Sequence, residues 1–206
     1  MPKKEAPLSA LEEYIPASSL PAVLHYIRHY RIHLTVTKKR KTILGDYRHT
    51  TSKENHRISI NGNLNPYAFL ITLIHELAHL VTFNQHKNRV DAHGKEWKGI
   101  YRHLLLEFIG YQIFPADIVE ALERSLHNLP ASSCADDVLM RVLKKYDQHN
   151  DALQFVEQLE EGSLFEIEGG RVFRKGKKLR KRFQCVEVKT GKLYLFSPIH
   201  AVDPLK

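Results

Sequence analysis

The sequence predicts an α+β protein, and three stretches predict it. Residues 66–83 carry apolar side chains around most of a helical circumference, residues 32–61 alternate in the manner of short strands, and residues 163–196 read as a β-meander punctuated by glycine turns. A chain of 206 residues can bury one core, or a core with a small accessory module. The expected division is 1–130 for the first domain and 131–206 for a linker, a short helix and the meander.

Taken in order, residues 19–30 place Leu20, Leu24, Ile27 and Tyr30 on one helical face, with Pro21 suited to the first turn. Strands are expected at 32–37, 42–47 and 57–61, forming a small antiparallel sheet. In the last of these, Arg57, Ser59 and Asn61 alternate with Ile58 and Ile60. Asn61-Gly62-Asn63 breaks the chain. The next helix has Asn65 as N-cap and Pro66 at its first position. Phe69, Leu70, Leu73, Ile74, Leu77, Leu80 and Val81 make it a buried helix. A further helix over 95–109 carries Trp97, Ile100, Tyr101, Leu104, Leu105 and Phe108 as its stripe, and Gly110 is placed to end it. Pro115 opens a helix to about residue 126, residues 129–133 read as a linker, and 136–146 as a short helix. Strands are then expected at 164–168, 172–174, 179–188 and 193–196, with turns at Gly169-Gly170 and Thr190-Gly191.

Composition narrows the class. The 43% apolar and 26% charged fractions are those of a soluble globular protein, no apolar run approaches the ~20 residues of a membrane span, and the N-terminus lacks a secretory pattern. Cys134 and Cys185 cannot build a disulfide framework or a four-cysteine zinc ribbon, and a cytoplasmic protein is expected. The net charge of +8 is unevenly spread. Residues 25–57 hold nine Lys and Arg against two acids, residues 58–170 nine against sixteen, and residues 171–192 ten against one. Such separation points to a polyanionic partner, with solvated strand faces as the plainer reading.

The buried helix carries His75-Glu76-Leu77-Ala78-His79. Four-residue spacing sends both imidazoles from one helix face, one turn apart, where a single tetrahedral metal can take both. Glu76 can reach a water at that metal without being a ligand, and a carboxylate so placed takes the proton of the attacking water and returns it to a leaving amine. A site of this kind needs a third protein ligand. His93, which precedes Gly94 and the next helix, is the best candidate, with Asp91, Glu96 and His86 as rivals. Tyr101 and His103 are candidate oxyanion stabilisers.

His75-Glu-Leu-Ala-His79, a loop, and then His93-Gly-Lys-Glu-Trp97 resemble the SprT family, which includes the eukaryotic Spartan proteases. That family's pattern is His-Glu-x-x-His followed by His-Gly-x-x-Trp or Phe, and the resemblance covers roughly residues 15–128. It implies a zincin-like fold, one Zn2+ per chain held by His75, His79 and His93, and Glu76 as catalytic base. It also implies proteolysis associated with DNA, best understood for members that degrade proteins crosslinked to DNA. The chain departs from the family at its C-terminal end. Around 170–173 and 182–186 a ribbon-like strand pattern remains but only Cys185 of the zinc-ribbon cysteines, so a second zinc is not expected.

In their place stand Arg171, Arg174, Lys175, Lys177, Lys178, Arg180, Lys181 and Arg182, interleaved with Phe173, Phe183 and Tyr194. Cations with aromatics on a small sheet can hold single-stranded nucleic acid by phosphate contact and base stacking; the aromatics can instead form the meander's core, the favoured reading for Phe183. The expectation is therefore a zinc endopeptidase acting on protein substrates near single-stranded or damaged DNA, with no membrane partner. The alternatives are a nucleic-acid-binding protein with a structural or vestigial metal site, and a metallohydrolase of small amides indifferent to DNA.

Overall fold

The structure, a computed structural model, describes residues 7–40, 42–49, 55–126, 129, 136–147 and 153–205. Its contacts divide the chain into two units, Met1–Asp147 and Gln148–Lys206. Lys41, Cys134 and all but Leu129 of the expected 129–133 linker lie outside the described residues.

The first unit runs α1 (Leu20–His29), β1 (Ile32–Thr37), β2 (Gly45–Arg48), β3 (His56–Asn61), α2 (Pro66–His86), α3 (Lys95–Gly110), α4 (Ala116–Leu126) and α5 (Asp137–Lys144). Its three strands lie in the order β1-β3-β2. β2 is antiparallel to β3, as a hairpin partner should be, but β1 runs parallel to β3, so the expected antiparallel sheet is mixed. β1 and β2 are consecutive in sequence yet not neighbours: β3 lies between them. Arg40 fastens the connection between β1 and β2. Its guanidinium donates to Asn61 Oδ1 at 2.7 Å, to Ser59 Oγ at 3.0 Å, and to the carbonyls of Leu44 and Ser59 at 3.2 Å. That use in folding removes Arg40 from the basic residues of 25–57 as a simple surface cation.

α2 packs against β2 and β3 and against α3. Phe69, Leu70, Leu73, Ile74, Leu77, Ala78 and Leu80 are all fully buried. By length and composition alone this helix could cross a membrane, which the count of uninterrupted apolar residues had excluded; 61% of the apolar window is buried within the unit. Its N-terminus forms as its first residues demand. Asn65 Oδ1 accepts from the Ala68 N–H at 2.9 Å, and Pro66 occupies the first turn where its missing N–H costs nothing. The same Asn65 amide donates to Leu143 O at 2.8 Å and Asp147 Oδ1 at 2.6 Å. These bonds, with Leu139 and Leu143 in the first unit's core, hold α5 there rather than beyond a boundary at residue 130.

The second unit is a six-stranded antiparallel sheet, not a meander of three or four. Its strands are β4 (Gln154–Phe155), β5 (Leu164–Ile167), β6 (Arg171–Lys178), β7 (Phe183–Glu187), β8 (Leu193–Phe196) and β9 (Ala201–Leu205), ordered β4-β9-β5-β6-β7-β8. β9 escapes a sequence reading because Pro204 argues against a strand. Among the described residues β4 pairs only with Ala201 and Val202, so the described part of that ladder makes no demand on the missing N–H of Pro204. Residues 179–182 form the turn between β6 and β7 instead of a strand, closed by the Leu179 N–H on Arg182 O at 2.7 Å. Gly169 and Gly170, at φ of 104° and 77°, make the β5–β6 turn in a region that side chains disfavour. Phe165, Phe173, Phe183, Cys185 and Phe196 fill the core.

Candidate metal centre

α2 and the start of α3 bring three imidazoles together. The ligand-capable atoms of His75, His79 and His93 all lie within 4.8 Å of one another, so the group could hold a metal ion. His75 Nε2 and His79 Nε2 are 3.3 Å apart. Tetrahedral zinc, with bonds of about 2.0–2.1 Å, separates its ligand nitrogens by about 3.4 Å, so this pair already has the spacing. His93 Nε2 is buried with no hydrogen-bond partner, a donor atom awaiting an acceptor of its lone pair. Asp91, Glu96 and His86 are not in the group. His86 and Glu96 instead line a shallow depression between the end of α2 and the start of α3.

Trp97 is the wall on which the trio rests. It is fully buried, and its ring centroid lies 4.8, 5.1 and 4.7 Å from those of His75, His79 and His93. The spacing from His93 to Trp97 is thus a packing requirement: the turn before α3 sets the His93 imidazole against the indole in the first turn of the helix. Tyr101, another turn on, stacks on Trp97 at 4.9 Å, lies 5.4 Å from His75, and is close enough to feel the Glu76 charge. His103, the other oxyanion candidate, is exposed on α3. Of the two, Tyr101 is the one placed beside the trio.

Burial sets the protonation states. Desolvation, then the neighbouring histidines, pushes His75 down to about 3, and the same causes hold His79 at about 4. Burial also lowers His93, with Lys98 adding to it. All three are neutral at pH 7, with lone pairs available for a cation. Glu76 goes the other way. Burial, then repulsion by Asp46, raises its carboxyl to about 8, against the pull of Arg40 and of a hydrogen bond from the Tyr47 backbone.

Gly45, at the start of β2, is a site residue that the sequence reading missed. A Cβ there would stand 2.6 Å from Glu76 Oε1 and 2.8 Å from Thr72 Cγ2. The strand can lie against the carboxylate only because this position is glycine. No local sequence signal marks it, since the approach is made between elements distant in the chain.

The C-terminal cations are placed less uniformly than their sequence suggests. Arg174, Lys177, Lys178, Arg180, Lys181 and Arg182 are exposed on β6 and the turn after it. Lys175 is only 6% exposed. Its ammonium donates to the carbonyls of Leu159 and Glu157 and sits 4.4 Å from the Phe183 ring centroid. The two-residue period of β6 turns it inward with Phe173, so it is not part of a surface for phosphate. Arg171 is paired with Glu187 at 2.7 Å and lies over Tyr194. Phe173 and Phe183 are in the core, with Tyr194 packed against it, which removes the two phenylalanines as platforms for base stacking.

The site's own titrations give a test in the metal-free chain. His75 and His79, at about 3 and 4, bind fewer protons folded than unfolded, where imidazole titrates near about 6.5. Their contribution is present above about 6.5 and is lost as pH falls through the folded values. Glu76, raised to about 8, contributes below the ordinary carboxylate range and loses that contribution as pH rises through 8. Urea midpoints in the presence of chelator should therefore peak near about pH 6.5 and fall at pH 5 and pH 8. Glu76→Gln should flatten the alkaline side and steepen the acid side, because the Glu76 contribution declines from the ordinary carboxylate range up to about 8. A profile that Glu76→Gln leaves unaltered would contradict this electrostatic picture.

Comparison with protein families matches residues 22–112 to the SprT-like family, a span from α1 to the end of α3 that includes both histidine motifs. No curated protein and no solved structure matches the chain. α4, α5 and the second unit lie outside the match. The resemblance first carried by His75-Glu-Leu-Ala-His79 and His93-Gly-Lys-Glu-Trp97 thus extends over a whole α+β segment, and that segment matches the SprT-like family, which is associated with metallopeptidase-like function.

Proposed function

We propose that the protein is a zinc-dependent endopeptidase of the SprT type with a zincin-like core, in which His75, His79 and His93 hold the metal and Glu76 is the general base. The observation that carries this reading is the convergence of three neutral imidazoles, His75 buried and His79 and His93 half-buried, beside a carboxyl group that burial has tuned to about 8. A purely structural site would not need that carboxyl. Zinc, when bound, supplies Lewis acidity, acidifying water and polarising a carbonyl.

The chain's own residues do the rest. A cation at the trio draws the Glu76 pKa down from about 8 toward the working pH, where one group can both accept and return a proton. Glu76 then takes the proton of the attacking water and delivers it to the leaving amine. Trp97 holds the imidazoles and keeps solvent from their far side. Tyr101, whose hydroxyl burial keeps protonated, is the group placed to donate a hydrogen bond to developing negative charge. β2 is an edge of its sheet, so an extended peptide can add to it by main-chain hydrogen bonds and pass in front of Glu76.

Glu76→Gln should retain zinc and fold but lose ~10²–10⁴-fold in casein cleavage. His93→Ala should lose zinc to a mild chelator, whereas Glu96→Gln should keep it. Wild-type turnover in Glu76→Gln would remove that residue from the mechanism. Loss of zinc in Glu96→Gln, with retention in His93→Ala, would reassign the third ligand.

Nucleic acid is the proposed partner of the second unit. The support is charge: six exposed cations are concentrated on β6 and its turn, next to few acids. With the phenylalanines buried, the contact is to phosphate and carries no base preference. Binding of single-stranded DNA should weaken steeply with salt. Reversing Arg180, Lys181 and Arg182 to Glu should remove most of the affinity and shallow the slope of log K on log salt by about 2. Zinc content should not change. An unaltered affinity in that variant would leave the turn as a solvated surface.

A further inference from the structure

We propose that a cavity between α2, α5 and the residue before β2 is a subsite for one medium-sized aliphatic side chain of the peptide substrate, flanking the bond that is cut. The inference rests on the peptidase reading above and adds to it a substrate preference. The cavity measures about 140 Å³, and its apolar walls are Leu44, Leu64, Ala68, Ile71, Met140 and Leu143.

Its position comes from the helix. Thr72 forms part of the wall and lies one turn before Glu76 on the same face of α2. The Thr72 methyl and Glu76 Oε1 both approach the point where a Gly45 Cβ would stand, at 2.8 and 2.6 Å. The cavity wall and the carboxylate thus share one contact. A peptide added along β2 advances about 3.3 Å per residue, so one of its side chains can enter beside the wall formed by Leu44 and Thr72. The cavity also reaches the surface, because Asn63 and Asp147 in its lining are exposed.

Its occupant follows from size and polarity. An apolar cavity of about 150 Å³ accepts a benzene-sized group, and 140 Å³ suits Leu, Ile or Met equally well. The lining also holds Asn63, Asn65, Thr72, Lys144 and Asp147, so it is the six apolar walls, and not a lack of polar groups, that favour an aliphatic occupant. Met140 and Leu143 come from α5, which lies outside the segment matched to the family. The preference is thereby a property of this chain and not of the matched fold alone. Asn65, which caps α2 and bonds α5 at Leu143 and Asp147, fixes the cavity's width.

The test has two arms. In the first, the zinc-loaded chain digests a mixed peptide library, and residue frequencies are read by mass spectrometry at each position about the cut. Leu, Ile and Met should be enriched about 10–200-fold over Ala at one flanking position. Met140→Ala should shift that enrichment toward Phe and Trp, and Ala68→Leu toward Gly and Ala. In the second, the Glu76→Gln chain is titrated with capped peptides that differ only by Leu or Gly at that position. The leucyl peptide should bind at least about 10-fold tighter, and Met140→Ala should reduce the difference. Cleavage without an aliphatic preference, or a preference that neither variant moves, overturns the subsite and leaves the peptidase standing. Absence of cleavage, with leucyl binding that depends on Met140, overturns the peptidase reading and upholds the subsite. Equal binding of the two peptides overturns the subsite by itself.

Discussion

Ionisable groups are costly to bury, and α2 buries three of them on one face. His75, Glu76 and, less completely, His79 lie in a helix otherwise given over to Phe, Leu and Ile. Without partners such groups relinquish their charge, and these do: the imidazoles are held neutral far below their usual range and the carboxyl is held protonated well above it. Everything around the helix serves that arrangement. The sheet covers the Glu76 side through Gly45, and α3 covers the histidine side through Trp97 and Tyr101. The turn before α3 then delivers His93 as the third member. A cation is the natural complement of three converging lone pairs, and the chain's folding energy is spent on making them converge.

The parts of this design that are local in sequence were legible. Asn65-Pro66 marks a helix start because capping and the missing proline N–H act within one turn. The two histidines at four-residue spacing, and His93 before Gly94, name the trio because helical geometry relates neighbours in the chain. What stayed hidden depends on contacts between distant segments. Gly45 matters only because β2 crosses Glu76 and Thr72. α5 belongs to the first unit only through Asn65 and the core residues Leu139 and Leu143. The parallel pairing of β1 with β3 follows from the hairpin partner of β3 lying on its other side. β4 and β9 are too short or too proline-marked to signal themselves.

The second unit shows the same limit in another form. Its sequence presents a dense basic run, but strand alternation sorts the run into outward cations and an inward Lys175, solvated by backbone carbonyls. The aromatics that seemed available for stacking are its core, and Cys185 is packed among them. Charge counting matches exposed cations only where residues fall on the turn or on the outward positions of β6. A period-two reading of Phe173-Arg174-Lys175 carries that distinction, and it takes precedence over composition.

The central claim is that three imidazoles of this chain form a metal site with room left for chemistry. X-ray absorption at the zinc edge of the loaded chain tests it directly. The account predicts one zinc per chain in a four-coordinate shell of three nitrogens at about 2.0–2.1 Å and one light-atom ligand from solvent. A sulfur scatterer at about 2.3 Å, a fourth protein nitrogen, or failure to bind zinc stoichiometrically would contradict it.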